Sequence, residues 1–508
     1  MSQSQPCCVH RRILLSCCAV VAAAALVLAA QSWQLGEMWA PCGAWSLVVA
    51  QIALALWIVI SIAFFAMLSP LRAFILTYVI GLLLLPVEMQ TPTGWLGSIA
   101  FSTALRIDKY TACNIGALLG TIMFAPHILR RYRFDWLDAL YLLIPVCIFI
   151  TSIVNNIGMK DGLSNAVASL RIWAPLIFLS KAHIQSVSDL LSVLRAMIGG
   201  AFVYAMVAVL EFRLSPWLHR ALYGYFQHDF SQFARYDRFR PVGFLRHAIE
   251  MSFLMGSMAS LAAWLWLKGL LRPLWGLVPA PLVVLALFVG LACTLTFSGY
   301  AVFLLAMAVM LVFHFVPRQW VLMIVPLLAI GWMIGRYAGV LEARFLIDTA
   351  SMIDASRAES IQYRFESEQI HLRAADSHLV FGRGGLLGMV RNEQGGLVKA
   401  VDAFWLIQLT FFGLAGLALW IAVWTSPILL LLANWRLTTG PTRALLAAVG
   451  VLVGIQIADF LFNSFPSPFL MILVAGSFGV VHAIRSYHAT APAAQRLYGG
   501  TPAPGGVL

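Results

Sequence analysis

The chain has 508 residues, of which 61% are hydrophobic and 11% charged, with a formal net charge of +12 and a mean hydropathy of +0.88. Soluble domains carry about 25% charged residues, so the composition excludes an ordinary soluble enzyme. No alternating apolar–polar pattern supports a membrane barrel, which leaves apolar helices as the spanning elements.

Apolar runs near 20 residues are long enough to cross a bilayer as helices. In chain order they predict about 14 spans: 13–30, 44–66, 73–88, 110–129, 136–154, 166–183, 188–210, 247–267, 276–297, 299–316, 320–338, 401–433, 444–462 and 466–484. The fold class expected is an all-α polytopic membrane protein. Its divisions are N-terminal spans (1–210), a loop (211–246), central spans (247–338), a larger loop (339–400), C-terminal spans (401–486) and a tail (487–508). The first run, "HRRILLSCCAVVAAAALVLAA", also reads as a signal peptide, with a basic start and a small-residue end. The run 401–433 is too long for one straight span, so a kink at Pro427 or an inner end lying along the membrane surface is expected. The tail "ATAPAAQRLYGGTPAPGGVL" is rich in Ala, Pro and Gly and reads as disordered. The eight cysteines show neither metal spacing nor a secreted disulfide framework and read as small packing residues.

Lys and Arg in the short loops gather on one side, which places both termini in the cytoplasm. They include Arg11, Arg12, Arg72, Arg130, Arg131, Arg133, Lys268, Arg318 and Arg436. The two long loops break this pattern, because both fall on the outer face and both are basic. The first carries Arg213, Arg220, Arg235, Arg238, Arg240 and Arg246, and the second carries Arg344, Arg357, Arg364, Arg373, Arg383, Arg391 and Lys399. Such a cluster reads either as a solvated loop touching lipid headgroups or as a phosphate site. The dominance of arginine favours phosphate, since guanidinium makes two parallel hydrogen bonds to it and keeps its charge when partly buried.

Glu88, Glu211, Glu250, Asp402 and Asp459 all fall near the outer ends of the predicted spans, and the span centres hold almost no ionisable groups. Proton-coupled pumps and carriers place such groups at mid-depth, so this pattern fits an enzyme acting at the outer interface better. In "RFRPVGFLRHAIEMSF" (238–253), Pro241 and Gly243 predict a turn, and His247 and Glu250 share a helix face. In "ADFLFNSFPSPF" (458–469), Asn463, Pro466 and Pro468 predict a tight return between helices. The stretch "FGRGGLLGMVRNEQGGLVKAVDAFW" (381–405) holds six glycines before Asp402. Its G-x-G-x-x-x-G spacing is one residue longer than the dinucleotide fingerprint and no βαβ unit surrounds it, so the glycines are expected to permit a tight turn or close backbone approach.

Several of these segments together resemble the O-antigen ligase and polymerase superfamily of bacterial surface polysaccharide assembly. "YRFESEQIHLRAADSHLVFGRGG" supplies its arginine, Arg364, and its glycine turn at Gly382, Gly384 and Gly385. "DAFWLIQLTFFGLAGL" supplies the following helix with Gly413 and Gly416. "RPVGFLRHAIE" is similar to the segment before the eighth span, with Arg240 and His247, and "LTFSGYAVFLL" is similar to the family's "TFSR" element. Two departures stand out. Gly299 occupies the arginine position of that element, and Asp402 stands where ligases carry histidine, as in the exopolysaccharide polymerase branch.

The resemblance implies a GT-C-like arrangement in the bacterial inner membrane and metal-independent, inverting glycosyl transfer at the periplasmic face, without a cofactor. The donor would be an oligosaccharide on undecaprenyl pyrophosphate. The partners implied are that lipid-linked glycan, membrane lipids, a flippase and a chain-length regulator, with no nucleic acid. A ligase joining finished glycan to another acceptor and a non-enzymatic lipid-linked oligosaccharide flippase are the alternatives. In this scheme Arg240 and Arg364, then Arg238 and Arg383, hold the pyrophosphate, whose growing charge fixed guanidiniums stabilise. Asp402 takes the proton of the attacking hydroxyl, with His247 in reserve. The competing reading of Asp402 is a helix N-cap, a position aspartate favours.

Overall fold

A computed structural model describes residues 44–91, 94–100, 102, 105–342, 344–352, 355–384 and 402–490. The expected first span (13–30), most of the glycine-rich stretch (385–401) and the end of the tail (491–508) lie outside the described residues.

The described chain is a helical membrane protein with three two-stranded hairpins. The helices of eight or more residues are α1 (Ala44–Met67), α2 (Pro70–Leu84), α3 (Lys109–Phe124), α4 (Trp136–Val154), α5 (Met159–His183), α6 (Val187–Leu214), α7 (Ala248–Leu267), α8 (Ala280–Cys293), α9 (Phe297–Phe315), α10 (Ile324–Tyr337), α11 (Arg344–Ser351), α12 (Ala355–Asp376), α13 (Phe404–Ala433), α14 (Gly440–Asp459) and α15 (Pro468–Thr490). Among the described residues, ten helices are long and apolar enough to cross a membrane. Of the other four of the 14 expected spans, the first (13–30) lies outside the described residues, and the remaining three correspond to α2, α3 and α8, which stop at 15, 16 and 14 residues. At 1.5 Å per residue these fall short of a hydrocarbon core about 30 Å thick. Leu85 and Ala125, which end α2 and α3, each precede a proline, and that residue is biased away from helical dihedrals.

Polar side chains collect at the two ends of the bundle. At one end Lys109 Nζ donates to Phe244 O (3.2 Å), Arg240 Nη2 to Thr296 Oγ1 (3.0 Å), Asn155 Nδ2 to Gly382 O (2.9 Å) and Arg364 Nη1 to Phe462 O (3.1 Å). The first two bonds link the start of α3 and the connections after α6 and α8, and the last two link α12 and the connection that follows it to those after α4 and α14. At the opposite end Lys181 of α5 sits between Asp135 and Asp138, and His482 of α15 lies 2.7 Å from Asp135.

The segment 234–247 enters α7 in a fixed register. Ala234–Arg235 pairs with Arg238–Phe239 across a two-residue turn in which Tyr236 and Asp237 both have positive φ, the geometry that matches the twist of a hairpin. Glu211 of α6 then accepts from the backbone N–H groups of Val242 (2.8 Å) and Gly243 (2.7 Å). The turn expected at Pro241–Gly243 is therefore present and is held by a buried carboxylate.

Helix α13 is broken, but not at Pro427. Gly413 has φ 67° and ψ −166°, outside the helical region. The turn 379–384 fills the break. The N–H groups of Leu414 and Ala415 donate to Leu379 O and Val380 O, while Thr410 O and Phe411 O accept from the N–H groups of Arg383 and Gly384. At Pro427 the helix needs no break, because Ser426 Oγ donates to Val423 O, the acceptor that proline leaves without a partner (2.6 Å). The expectation that the glycines allow close backbone approach holds at Gly382, where a Cβ would lie 2.4 Å from the backbone of Phe411 and Phe412.

Gly413→Ala is expected to destabilise the protein strongly. At φ 67° and ψ −166° the backbone occupies a region essentially reserved for glycine, which costs another residue about 1–3 kcal/mol, and the added Cβ would meet Val380 O at 2.3 Å. Gly331→Ala, in open space at helical dihedrals, is expected to be neutral or to stabilise by up to about 1 kcal/mol. Thermal unfolding of both variants in detergent micelles checks the contrast, and equal midpoints would contradict the interlocking.

Candidate functional site

The opening of α13 and the return between α14 and α15 face α12 across a cleft at the loop-rich end. Arg364, Phe365, Ser367 and Glu368 of α12 line it, with Asp402, Ala403 and Leu406 opposite and Leu461 and Phe462 from the return. One face of α12 is anchored: Phe365, Ser367, Glu368 and His371 are buried, and Glu368 pairs with the buried Arg336 of α10. Removing one partner of such a buried pair typically costs about 3–5 kcal/mol, so this pair holds α12 against the bundle.

Arg364 lies beside that anchor. Its Nη1 donates to Phe462 O, and its Nη2 stands 3.6 Å from Asp402 Oδ2, which is ion-pair range but beyond a hydrogen bond. Their side chains are 30% and 51% exposed. A pair this open is worth about 0–1 kcal/mol. It adds little to stability, and both groups keep hydrogen-bonding capacity for a ligand.

Asp402 is not the helix cap. The cap position belongs to Ala403, which makes no side-chain bond, and the first amides of α13 are satisfied by the return: Phe404 N–H donates to Asn463 O and Trp405 N–H to Phe460 O. The cap alternative for Asp402 is therefore corrected, and among the described residues no backbone group engages its carboxylate.

His247 does cap a helix. Its Nδ1 accepts from Ile249 N–H at the start of α7 (3.1 Å), which assigns the proton to Nε2, placed 3.1 Å from Gln232 Oε1. The ring stacks on Phe465 of the return, with centroids 5.8 Å apart. Burial, then the charges of Arg240 and His228, lower its pKa to about 3, and Arg364 acts in the same direction. His247 thus stands beside the site as a neutral ring with both nitrogens engaged.

The other predicted arginines are dispersed. Arg240 is buried and held by Thr296 and the carbonyl of Gln232. Arg238 is exposed on the hairpin, with its guanidinium carbon 6.0 Å from the ring centroid of Phe212. Arg383 sits on the glycine turn, its backbone committed to the break in α13. The structure thus joins Arg364 with Asp402 directly, and His247 feels the charges of both Arg364 and Arg240, whereas Arg238 and Arg383 make no contact with the pair among the described residues. Among the described residues no group of three or more His, Cys, Asp or Glu side chains is placed to hold a metal ion.

The turn formers of 458–469 account only for the return between α14 and α15. The Phe462 carbonyl of this segment in fact fixes Arg364, and Asp459 lies within electrostatic reach of the same guanidinium. The available signal was Asp459 itself, an acid at the C-terminal end of a helix, where the backbone dipole disfavours negative charge.

His247 gives a pH prediction. The folded chain keeps it neutral down to about pH 3, whereas an unfolded chain protonates it near 6.5. Its contribution to stability is therefore fully present above about pH 6.5 and is lost as pH falls towards 3. His247→Asn keeps a capping acceptor and removes this titration, so its unfolding midpoint should fall less steeply than that of the parent between pH 6.5 and 4. Parallel curves in detergent micelles would contradict the assignment. In comparison with known proteins, no family model matches the chain, and no curated protein matches it.

Proposed function

We propose that the protein is a bacterial inner-membrane polymerase of an exopolysaccharide or O-antigen, with both termini cytoplasmic and the Arg364–Asp402 cleft on the periplasmic side. The observation that carries this reading is the pairing of an anchored arginine with an uncapped, half-exposed carboxylate at the end of the apolar bundle. An arginine there suits the pyrophosphate of a lipid-linked donor, and a carboxylate beside it suits the hydroxyl that attacks.

In the proposed reaction an acceptor hydroxyl attacks the anomeric carbon of the growing glycan from the face opposite the pyrophosphate. The new C–O bond forms as the anomeric carbon–oxygen bond to undecaprenyl pyrophosphate breaks, which inverts the configuration. The hydroxyl proton passes to Asp402, and the bond's electron pair leaves with the pyrophosphate. Arg364 stabilises that growing charge from a position already fixed by the Phe462 carbonyl, so little reorganisation is needed. His247 supports the Phe465 side of the return, and Arg240 contributes fixed positive charge behind it.

The break in α13 favours a second reading, a lipid-linked oligosaccharide carrier, because discontinuous helices form substrate sites in many transporters. Here, however, the four backbone groups freed at Gly413 all bond to the 379–384 turn, which leaves them unavailable to a substrate. This weakens the carrier reading.

Asp402→Asn is expected to abolish polymer formation in cells while leaving the protein folded, since the native carboxylate caps nothing. Arg364→Ala and Arg364→Lys are each expected to lower the rate about 10²-fold or more, because lysine keeps the charge but loses the two-pronged geometry. Normal output from Asp402→Asn, or from both Arg364 variants, overturns the roles. Purified protein in liposomes with lipid-linked repeat units separates the readings: longer glycans indicate transfer, whereas movement of unextended units across the bilayer indicates a carrier.

A further inference from the structure

A second cleft is built from other residues of the α14–α15 return. Phe253 and Leu254 of α7 and Phe469 of α15 give it apolar walls, while Glu250, Asp459 and Ser467 supply its polar groups. The two carboxylates differ in their bonding. Glu250 is committed, since Arg246 donates to both of its oxygens. Asp459 is 8% exposed, and its Oδ1 accepts from Asn463 Nδ2 at 2.5 Å. Its Oδ2 has no hydrogen-bond or ion-pair partner among the described residues, yet the side chain lines the cleft.

A structural role explains Asp459 poorly. A buried carboxylate without a contacting cation is costly, and as the last residue of α14 this one also meets the negative end of the helix dipole. A ligand that donates a hydrogen bond to Oδ2 would offset that cost. The surroundings argue against a cationic ligand: Arg246 neutralises Glu250, and Lys109 and Arg364 already act on the two carboxylates. Phe253, Leu254 and Phe469 place apolar surface directly beside that carboxylate, which suits a ligand whose hydroxyl-bearing head carries an apolar group.

We infer that this cleft is a subsite for a neutral, hydroxyl-bearing sugar carried on a lipid, with Asp459 Oδ2 accepting a sugar hydroxyl. Its assignment to the acceptor rests on the glycosyl-transfer reading: Arg364 and Asp402 serve the donor pyrophosphate and the reacting hydroxyl, and Asp459 orients the acceptor ring through a neighbouring hydroxyl. Asp459 is a specificity residue in this scheme, and no bond is made or broken at it.

The test is site-specific protection, which needs no turnover. The full chain carrying Ser467→Cys is placed in lipid nanodiscs and labelled with a maleimide, and labelling at position 467 is read by peptide mass spectrometry. Octyl glucoside below its micellar concentration is expected to slow labelling at least about 5-fold. Free glucose, an octyl ammonium and an octyl phosphocholine at the same concentration are expected to leave the rate unchanged. Adding Asp459→Asn should raise the octyl glucoside concentration needed for half-maximal protection about 10-fold, the scale of one lost hydrogen bond to a carboxylate, with the probe-free rate unchanged as the sign that the cleft still forms. Absent protection, equal protection by the ammonium or phosphocholine probe, or equal protection by free glucose overturns the inference, and the probe series alone decides this if the double variant misfolds. Protection without glycan extension in liposomes removes the acceptor assignment and the polymerase reading but leaves the sugar subsite. Extension without protection removes the subsite alone.

Discussion

A chain surrounded by lipid has no water to satisfy its backbone, so every buried N–H and C=O must find a partner within the protein. The interlock at Gly413 answers that constraint and sets the position of the candidate site. The helix opens, and a turn from the preceding loop supplies two carbonyls and two N–H groups to the exposed ends. Without this exchange the break would leave four backbone groups unsatisfied. With it, the large loop is fastened to α13 a few turns below Asp402, and the end of α12 is carried down to the bundle beside the start of α13.

The charged groups obey the same constraint. They collect at the two ends and are mostly paired there, as with Arg336 and Glu368, Arg246 and Glu250, and Lys181 with its two aspartates. Against that background Arg364 and Asp402 stand out for the looseness of their contact. Glu211 and Asp459 both lack a contacting cation, but backbone N–H groups bond both oxygens of Glu211, whereas Asp459 keeps one oxygen without a partner among the described residues. Groups held in position but incompletely satisfied are the ones with hydrogen-bonding capacity left for a ligand. The proposed reaction uses Arg364 and Asp402 for pyrophosphate and proton, and the inferred subsite uses Asp459 for a sugar hydroxyl.

Arg364 is central because three independent elements meet at it. Helix α12 supplies the side chain, the α14–α15 return fixes it through a carbonyl, and the lead-in to α13 supplies its carboxylate partner. His247 joins from a fourth element through Phe465. A rearrangement of any of these would change the charge presented in the cleft, which is how a membrane site can be specific without deeply buried charges.

The sequence by itself determined that the chain crosses a membrane many times, because apolar runs of this length have no other stable solution. It also marked where polar chemistry gathers, through arginine-rich loops and acids at the ends of apolar runs, and it named Arg364 and Asp402. Tertiary structure decided what each residue is free to do. Asp402 lost its capping role because the 460–463 carbonyls reached the first amides of α13 instead, and His247 became a cap because its ring met Ile249 N–H. Arg240 was drawn into a buried bond with Thr296, and the break moved from Pro427 to Gly413 because a distant turn supplied the missing partners. These outcomes depend on contacts between residues far apart in the chain, which no local pattern of residue types encodes.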